Sequence, residues 1–194
     1  MKKTVEIYEF KLRIVEIPII GTSPLIVHAF SAKIRKEILD KQLGKAKPQK
    51  HRIKDPAAEY EDAKHISEAG WDGFPTAGFK LAMIRGAKIV GMVMKDARSA
   101  FFIKSDCERT QLTRIHGTSI MRRDMVRVGM GGSDVRFRPE YPEWEAVLNI
   151  EYNEGNISID QIYQLVKAAG YGCGIGEMRP EKGGYGFGRF KIKE

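Results

Sequence analysis

The fold of this chain is decided by the glycine-rich segment GYGCGIGEMRPEKGGYGFGRF, residues 170–190. Eight of its 21 residues are glycine, and glycine at this density lets a backbone take positive φ angles and approach another backbone or a ligand closely. The segment lies between a predicted helix and a predicted final strand, so we expect a shaped loop. The alternative is a plain connection in which glycine only lets the helix pack tightly on the sheet.

The apolar patterns around this loop predict the order of the core elements. Strands are predicted at 5–17, 143–152 and 185–193, helices at 77–90 and 158–169, and one or more strands within 98–130, which is hard to read. This order is βαββαβ, the order of the ferredoxin-like fold, which is also the scaffold of the RRM. We therefore expect an α+β, ferredoxin-like (RRM-like) single domain, 1–194, with its core at 5–30 and 77–194 and an insertion at about 31–75.

Two local patterns make sharper predictions. In the first strand, Phe10, Leu12 and Ile14 alternate with polar residues, which places them on the buried side. In the last helix, Ser158 and Gln161 form a capping box. Gly170 is the predicted residue at which that helix ends.

The charge of the chain favours an anionic partner. The formal net charge is +8, which suits nucleic acid, although many soluble proteins are mildly basic. Most of the excess lies between Lys33 and Lys54, where nine basic residues face only two acidic ones. The basic residues are Lys33, Arg35, Lys36, Lys41, Lys45, Lys47, Lys50, Arg52 and Lys54. Ser31 can cap a helix that carries Ile34, Ile38 and Leu39. The second half of the insertion, which contains glycine and proline, is predicted to be a mobile basic loop.

Other features narrow the class of protein. Cys107 and Cys173 lie in unlike contexts, which argues against a disulfide framework. The four histidines, His28, His51, His65 and His116, lack metal-ligand spacing, so we expect neither metal nor cofactor. Residues 1–6 lack a signal-peptide pattern and no segment is apolar enough to span a membrane. We expect a cytoplasmic protein of a bacterium, an archaeon or a phage-infected host cell, with no membrane partner.

The glycine-rich segment resembles the RAMP superfamily, the ferredoxin-like proteins of CRISPR systems. The resemblance rests on Gly174, Gly176, Gly184, Gly186 and Gly188, with Ile175, Tyr185 and Phe187 between them, and on Pro24–His28 after the first strand. It implies a guide-RNA backbone subunit or a guide-processing endoribonuclease. The chain is short for a backbone subunit, so a compact relative, such as a phage protein that coats single strands, is the alternative.

Basic residues near aromatic ones indicate where a strand would bind. Backbone N–H groups of the glycine loop can receive phosphate, arginine adds bidentate contacts, and aromatic rings stack on bases. On a strand, Arg136 and Arg138 would share one face and Phe137 the other; the alternative is a solvated surface strand. The predicted binding residues are Lys33, Arg35, Lys36, Lys45, Lys47, Lys50, Arg52, Arg122, Arg123, Arg127, Arg136, Arg138, Arg179, Lys182 and Arg189, with the five loop glycines named above.

These observations favour a non-catalytic protein that binds single-stranded RNA or DNA and self-associates along the strand as a homo-oligomer or filament. One alternative is a metal-independent endoribonuclease. The resemblance implies that its general base would be His28, which could equally be a half-buried, hydrogen-bonded side chain. The other alternative is a phage structural or CRISPR-interfering protein that mimics a backbone subunit.

Overall fold

The computed structural model describes residues 10–30, 32–45, 54–128, 132–183 and 185–194. Of the predicted site residues, Lys47, Lys50, Arg52 and Gly184 lie outside this part, as does the side chain of Lys33. The elements, in chain order, are β1 (Leu12–Gly21), β2 (Leu25–Ile26), α1 (Ala32–Gln42), α2 (Pro56–Asp62), β3 (Gly73–Pro75), α3 (Thr76–Gly86), α4 (Met94–Ala100), β4 (Phe101–Lys104), β5 (Leu112–Arg114), β6 (Ile120–Val128), β7 (Gly132–Tyr141), β8 (Glu145–Asn153), α5 (Ile159–Ala168), a π-helical turn (Ala169–Cys173) and β9 (Phe190–Ile192).

The largest sheet has four strands in the order β4-β8-β1-β9, and all neighbours are antiparallel. In the central pair, Ile17 lies opposite Leu148 and Ile19 opposite Ala146. These side chains are buried and form the core with residues of α3 and α5 such as Phe79. The α+β class predicted from the sequence is confirmed by this mixture of helices with antiparallel sheets.

The predicted buried side of the first strand was wrong. Leu12 is 54% exposed and Ile14 is 57% exposed, whereas Ile17 and Ile19 are fully buried. Since side chains alternate along a strand, the odd-numbered residues face the helices. The alternation seen in the sequence therefore belongs to the opposite, open face of the sheet.

Helix α5 begins as predicted and ends later. Ser158 accepts from the backbone of Gln161, and the Gln161 side chain accepts from the backbone of Ser158, so the capping box is present. The chain does not leave the helix at Gly170. It continues through the π-helical turn to Gly174, which has φ of 66°.

The segment 98–130 contains β4, β5 and β6, and β6 belongs to a second sheet. Strands β6 and β7 pair over their whole length, and β2 adds to β7, giving the order β2-β7-β6. The first half of the basic insertion forms α1, the helix expected to carry Ile34, Ile38 and Leu39. Helix α2 begins after Asp55, whose carboxylate accepts from the backbone N–H groups of Ala57 and Ala58. No helix in the described part of the chain is long and apolar enough to cross a membrane.

Candidate nucleic-acid interface

The described part of the glycine loop is fastened to the segment around β2 by main-chain hydrogen bonds. Gly188 donates to Pro24 (2.8 Å), Glu177 donates to Ile26 (2.8 Å), and Ile175 donates to Gly188 (2.9 Å). A Cβ atom on Gly188 would lie 1.8 Å from the Ile175 oxygen. Glycine is required there by close packing. The expectation that these amides receive phosphate is corrected, because each already has an acceptor within the chain.

Two of the three predicted basic residues of the loop, Arg179 and Arg189, make contacts within the protein. The Arg179 guanidinium donates to the carbonyl oxygen of Gly176 at 2.9 Å. Arg189 lies over the ring of Tyr171, 5.2 Å from its centroid. Lys182 is exposed and lines a cleft of about 500 Å³, whereas Arg179 lines a small pocket of about 90 Å³. Of these three side chains, Lys182 is therefore the one that lines the larger space.

The arginines of the β6–β7 pair lie on two opposite faces of the paired strands. Arg122 lies opposite Arg138 and Asp124 opposite Arg136 on one face, while Arg123 lies opposite Phe137 on the other. Arg136 and Arg138 thus share a face, and Phe137 points the other way. This is the alternation that the sequence predicted for a strand.

Arg138 and Arg122 form an internal ion network. Arg138 is 2% exposed and donates to Asp124 at 2.7 Å. Arg122 donates to Asp124 at 2.8 Å and to Glu140 at 2.9 Å. The hydrogen bond with Glu140 is the largest contribution that raises the pKa of Arg122. The prediction that Arg138 contacts nucleic acid is corrected, because its side chain is buried against carboxylates.

Arg122 also reaches the glycine loop. Its guanidinium lies 4.8 Å from the centroid of the Phe187 ring, a cation–π distance. Arg138 approaches Glu177 of the same loop at 3.7 Å. The β6–β7 pair and the loop are therefore joined by the arginines of one face.

A cleft of about 500 Å³ lies beside this junction, and we call it the His28 cleft. Four segments that are distant in sequence contribute to it: the chain after β2, the end of the basic insertion with α2, strand β7 and the glycine loop. Its lining residues are His28, Ala29, Phe30, Lys54, Glu59, Asp62, Ala63, Asp134, Arg136, Phe137, Glu177 and Lys182. Lys54 from the insertion and Lys182 from the loop thus face the same space.

The charges in the His28 cleft are mixed. Lys54 donates to the Asp134 carboxylate and to the carbonyl oxygen of Val135. That hydrogen bond from Lys54 is the main reason that the pKa of Asp134 is lowered. Arg136 lies 3.8 Å from the same carboxylate. Lys182 adds an exposed positive charge, and Glu59, Asp62 and Glu177 add negative ones.

The imidazole of His28 lines this cleft and has one nitrogen without a hydrogen-bond partner. Its Nδ1 atom is buried and has no hydrogen-bond partner. Burial lowers the pKa of His28, the positive charges of Arg136 and Arg138 lower it further, and Glu177 opposes the shift. The imidazole is therefore neutral at pH 7. Its ring meets Phe30 edge to face at 6.4 Å between centroids.

A second, more apolar groove of about 620 Å³ adjoins the cleft. It is lined by Lys54, Pro56, Arg123, Met125, Val135 and Phe137. Met125 is 77% exposed. Lys54 and Phe137 line both cavities, so the two spaces meet at these residues. We call this second space the Met125 groove.

Of the predicted cations in and directly after α1, Arg35 contacts a residue that lines the cleft. Arg35 donates to the carbonyl oxygen of Phe30 at 3.0 Å. Arg35, Lys36 and Lys45 are exposed, as is Arg127 of β6, and none of them lines either cavity. Within the described part of the chain, no group of three or more His, Cys, Asp and Glu is placed to hold a metal ion.

Sequence reasoning missed Phe30, Glu59, Asp62 and Glu177 as lining residues. Glu177 lies inside the glycine-rich segment, directly after Gly176. This position was the one feature of the sequence that could have indicated a role for Glu177 in the site. From the sequence alone, the acidic residues of α2 look like a solvated face that balances the basic insertion. Their place in the cleft depends on the packing of α2 against β7, which no local pattern reports.

No family model matches the sequence, and no curated protein matches it. The chain is similar to the crystal structure of Cmr6 from Pyrococcus furiosus, with a TM-score of 0.46 and 11% sequence identity, over 95% of this chain and 100% of that chain. A TM-score this low carries no argument about function.

Proposed function

We propose that this protein binds single-stranded nucleic acid without cleaving it, on a single RAMP-like domain. The observation that carries the proposal is the His28 cleft, in which Lys54, Arg136 and Lys182 come from three separate segments. Two aromatic rings, Phe30 and Phe137, line the same space. Cations that contact phosphate and rings that stack on bases are the two components of single-strand binding.

The strand order supports the RAMP-like, ferredoxin-like part of the proposal. Elements β1, α3, β4, β8, α5 and β9 follow one another as β-α-β-β-α-β. Each neighbouring pair in the sheet β4-β8-β1-β9 is antiparallel. This order, with the remaining elements inserted between its members, is the order expected of a split βαβ fold and supports the proposal. The second sheet, α1 and α2 are then additions to that core.

A strand on this surface would run from the His28 cleft into the Met125 groove. Arg136, Lys182 and Arg123 would contact phosphates, and Phe137, at the boundary of the two spaces, would stack on a base. The exposed cations of α1 would extend the path. Self-association along the strand, which we also propose, would let each copy cover a fixed length.

Binding is tested by fluorescence anisotropy with labelled single-stranded RNA, single-stranded DNA and duplex at two salt concentrations. We expect both single strands to bind better than duplex, with affinity that falls steeply as salt rises, because counterions are released from phosphate. Replacing Arg136 and Lys182 together by Ala should weaken binding by about tenfold or more. The matched control replaces Lys88 and Lys95, two exposed lysines that do not line either cavity. Equal effects of the two double variants would contradict the assignment.

One observation favours a second function, metal-independent cleavage of RNA. A neutral His28 with a buried, unpartnered Nδ1 lies in a cleft with Arg136 and Lys182. A neutral imidazole can accept the proton of a ribose 2′-hydroxyl, and cations can stabilise the phosphorane that forms. Incubation of RNA with the protein and with its His28→Ala variant in chelator separates the two functions. Cleavage by the parent that is lost in the variant supports the enzyme, and its absence from both supports binding alone.

A further inference from the structure

We propose that the His28 cleft takes one guanine base of the bound strand, with Glu177 accepting hydrogen bonds from the N1–H and the 2-amino group of that base. This inference rests on the proposed function, because it names which base the single-strand site prefers. A site that bound only phosphates and ring faces would be indifferent to the base.

Glu177 is held rigidly enough to read a base edge. Its backbone N–H donates to Ile26 at 2.8 Å. The residue before it, Gly176, has φ of 77°, and a Cβ atom there would lie 2.4 Å from the Ile26 oxygen. A glycine is therefore needed for the loop to come this close to β2. The position of Glu177 at the cleft follows from that contact.

The carboxylate of Glu177 retains capacity for a ligand. Its described ion pair is with Arg138 at 3.7 Å, which is longer than a hydrogen bond. The side chain is 37% exposed. A carboxylate accepts through two oxygens and donates through none at neutral pH. It can therefore accept two parallel N–H donors from one planar partner.

Two buried side-chain nitrogens near the Glu177 carboxylate also lack hydrogen-bond partners. They are Nδ1 of His28 and Nε of Arg138. Glu177 opposes the lowering of the pKa of His28, which burial, Arg136 and Arg138 cause, and Arg138 is the ion-pair partner of Glu177. Buried polar atoms without hydrogen bonds are uncommon in folded proteins, and each requires a structural or functional explanation. Of the two residues, His28 lines the cleft, so a ligand seated beside Glu177 would lie next to its imidazole.

The lining of the cleft selects guanine among the bases. Only guanine presents an imino N–H and an amino group side by side on its Watson–Crick edge, a match for the two oxygens of a carboxylate. Adenine and cytosine offer an amino group without that neighbour, and uracil offers a single N–H.

The charges also orient the nucleotide. Glu59 and Asp62 lie on one side of α2, three residues apart, and both line the cleft. Together with Glu177 they repel phosphate and attract N–H donors. Lys182 is exposed, so it is placed to contact the phosphate at the mouth. The base therefore enters the cleft and the phosphate stays outside it. The volume of the cleft, about 500 Å³, falls in the usual range for sites that bind small ligands.

The test measures the affinity of the full chain for labelled oligouridine strands that carry one central uracil, guanine, adenine or hypoxanthine. We expect the strand with guanine to bind about tenfold tighter than all-uracil, because two hydrogen bonds to a carboxylate are added. Hypoxanthine keeps the N1–H and lacks the 2-amino group, so most of this gain should be lost. Glu177→Gln should abolish the preference for guanine, so that the strand with guanine and the all-uracil strand bind this variant alike. Glu143→Gln, at an exposed carboxylate that does not line the cleft, should keep the preference.

The outcomes separate the two proposals. Equal affinity for all four strands, with binding retained, overturns the guanine site and leaves the proposed function standing. A preference for guanine that survives in Glu177→Gln also overturns the assignment. Failure of every strand to bind contradicts the proposed function and the guanine site together. The comparison of guanine with hypoxanthine uses the unaltered chain, so it holds even if a variant at Glu177 does not fold.

Discussion

The guanidinium of Arg138 lies 3.7 Å from the carboxylate of Glu177, across the junction between β7 and the glycine loop. The same guanidinium donates to the buried carboxylate of Asp124 at 2.7 Å. Arg138 thus connects two segments that each contribute to the His28 cleft.

Replacing Arg138 by Met should destabilise the fold by about 3 kcal/mol, because the buried carboxylate of Asp124 loses its most buried partner. Chemical denaturation followed by circular dichroism measures the difference. Arg127→Met, on the exposed surface of β6, is the control and should lie within about 0.5 kcal/mol of the parent. An unchanged free energy of unfolding for Arg138→Met would show that the network does not stabilise the fold.

Gly188→Ala should destabilise the protein by at least about 2 kcal/mol, because residue 188 has a positive φ and a Cβ there would overlap a carbonyl oxygen. The φ angle is 66°, and the added Cβ would lie 1.8 Å from the Ile175 oxygen. Gly186→Ala is the matched control, since nothing lies within 4 Å of a Cβ at that position. Thermal melting compares the two. Equal melting temperatures would contradict the packing role of Gly188.

Local features were predicted well from the sequence, and features set by packing were not. The capping box of Ser158 and Gln161 was correct because it involves residues three apart. The buried side of β1 was wrong because burial depends on where α3 and α5 lie. Leu12 and Ile14 are apolar residues on an open sheet face, and nothing in their alternation reveals that.

In the β6–β7 pair, the alternation of Arg136, Phe137 and Arg138 predicted a strand, but the burial of Arg138 was not predicted. Asp124 and Arg138 are buried because they neutralise each other across the strands, so the pattern lacks the apolar period that marks a buried face. Individual residues of the candidate site were predicted from the sequence, since Arg136 and Lys182 were both among the predicted binding residues. Their convergence with Glu177 and His28 was not predicted, because it depends on four segments that meet only in three dimensions.

Stability should fall as pH drops from 6.5 toward 4, in part through His65. Burial, followed by the charges of Arg35 and His28, lowers the pKa of His65 from 6.5 to about 4. Between these values the unfolded chain binds the proton and the folded chain does not, so acid favours unfolding. Above pH 6.5 and below pH 4 this contribution is constant.

The comparison of parent and His65→Gln by denaturant titration at several pH values measures this effect. Since Gln does not titrate, the parent should lose on the order of 3 kcal/mol relative to the variant across that range. The pKa of His28 is lowered in both proteins, so its contribution cancels in the difference. Parallel pH profiles would contradict a depressed pKa for His65.

Phe137→Ala should weaken single-strand binding by about 1–3 kcal/mol, the range for loss of one stacking contact. Phe137 lines both the His28 cleft and the Met125 groove. The control is Phe102→Ala on β4, a ring that is 56% exposed and lines neither space. Anisotropy titrations give both affinities, and a larger loss at Phe102 than at Phe137 would move the binding surface to the four-stranded sheet.

The most direct test of where the strand binds is photo-crosslinking of the full chain to a strand containing 4-thiouridine, with the linked peptides identified by mass spectrometry. Cross-links at Phe30, Phe137 and Lys182 are the predicted result, because these residues line the His28 cleft. Cross-links confined to the four-stranded sheet, at Phe102 or Lys104, would contradict the account.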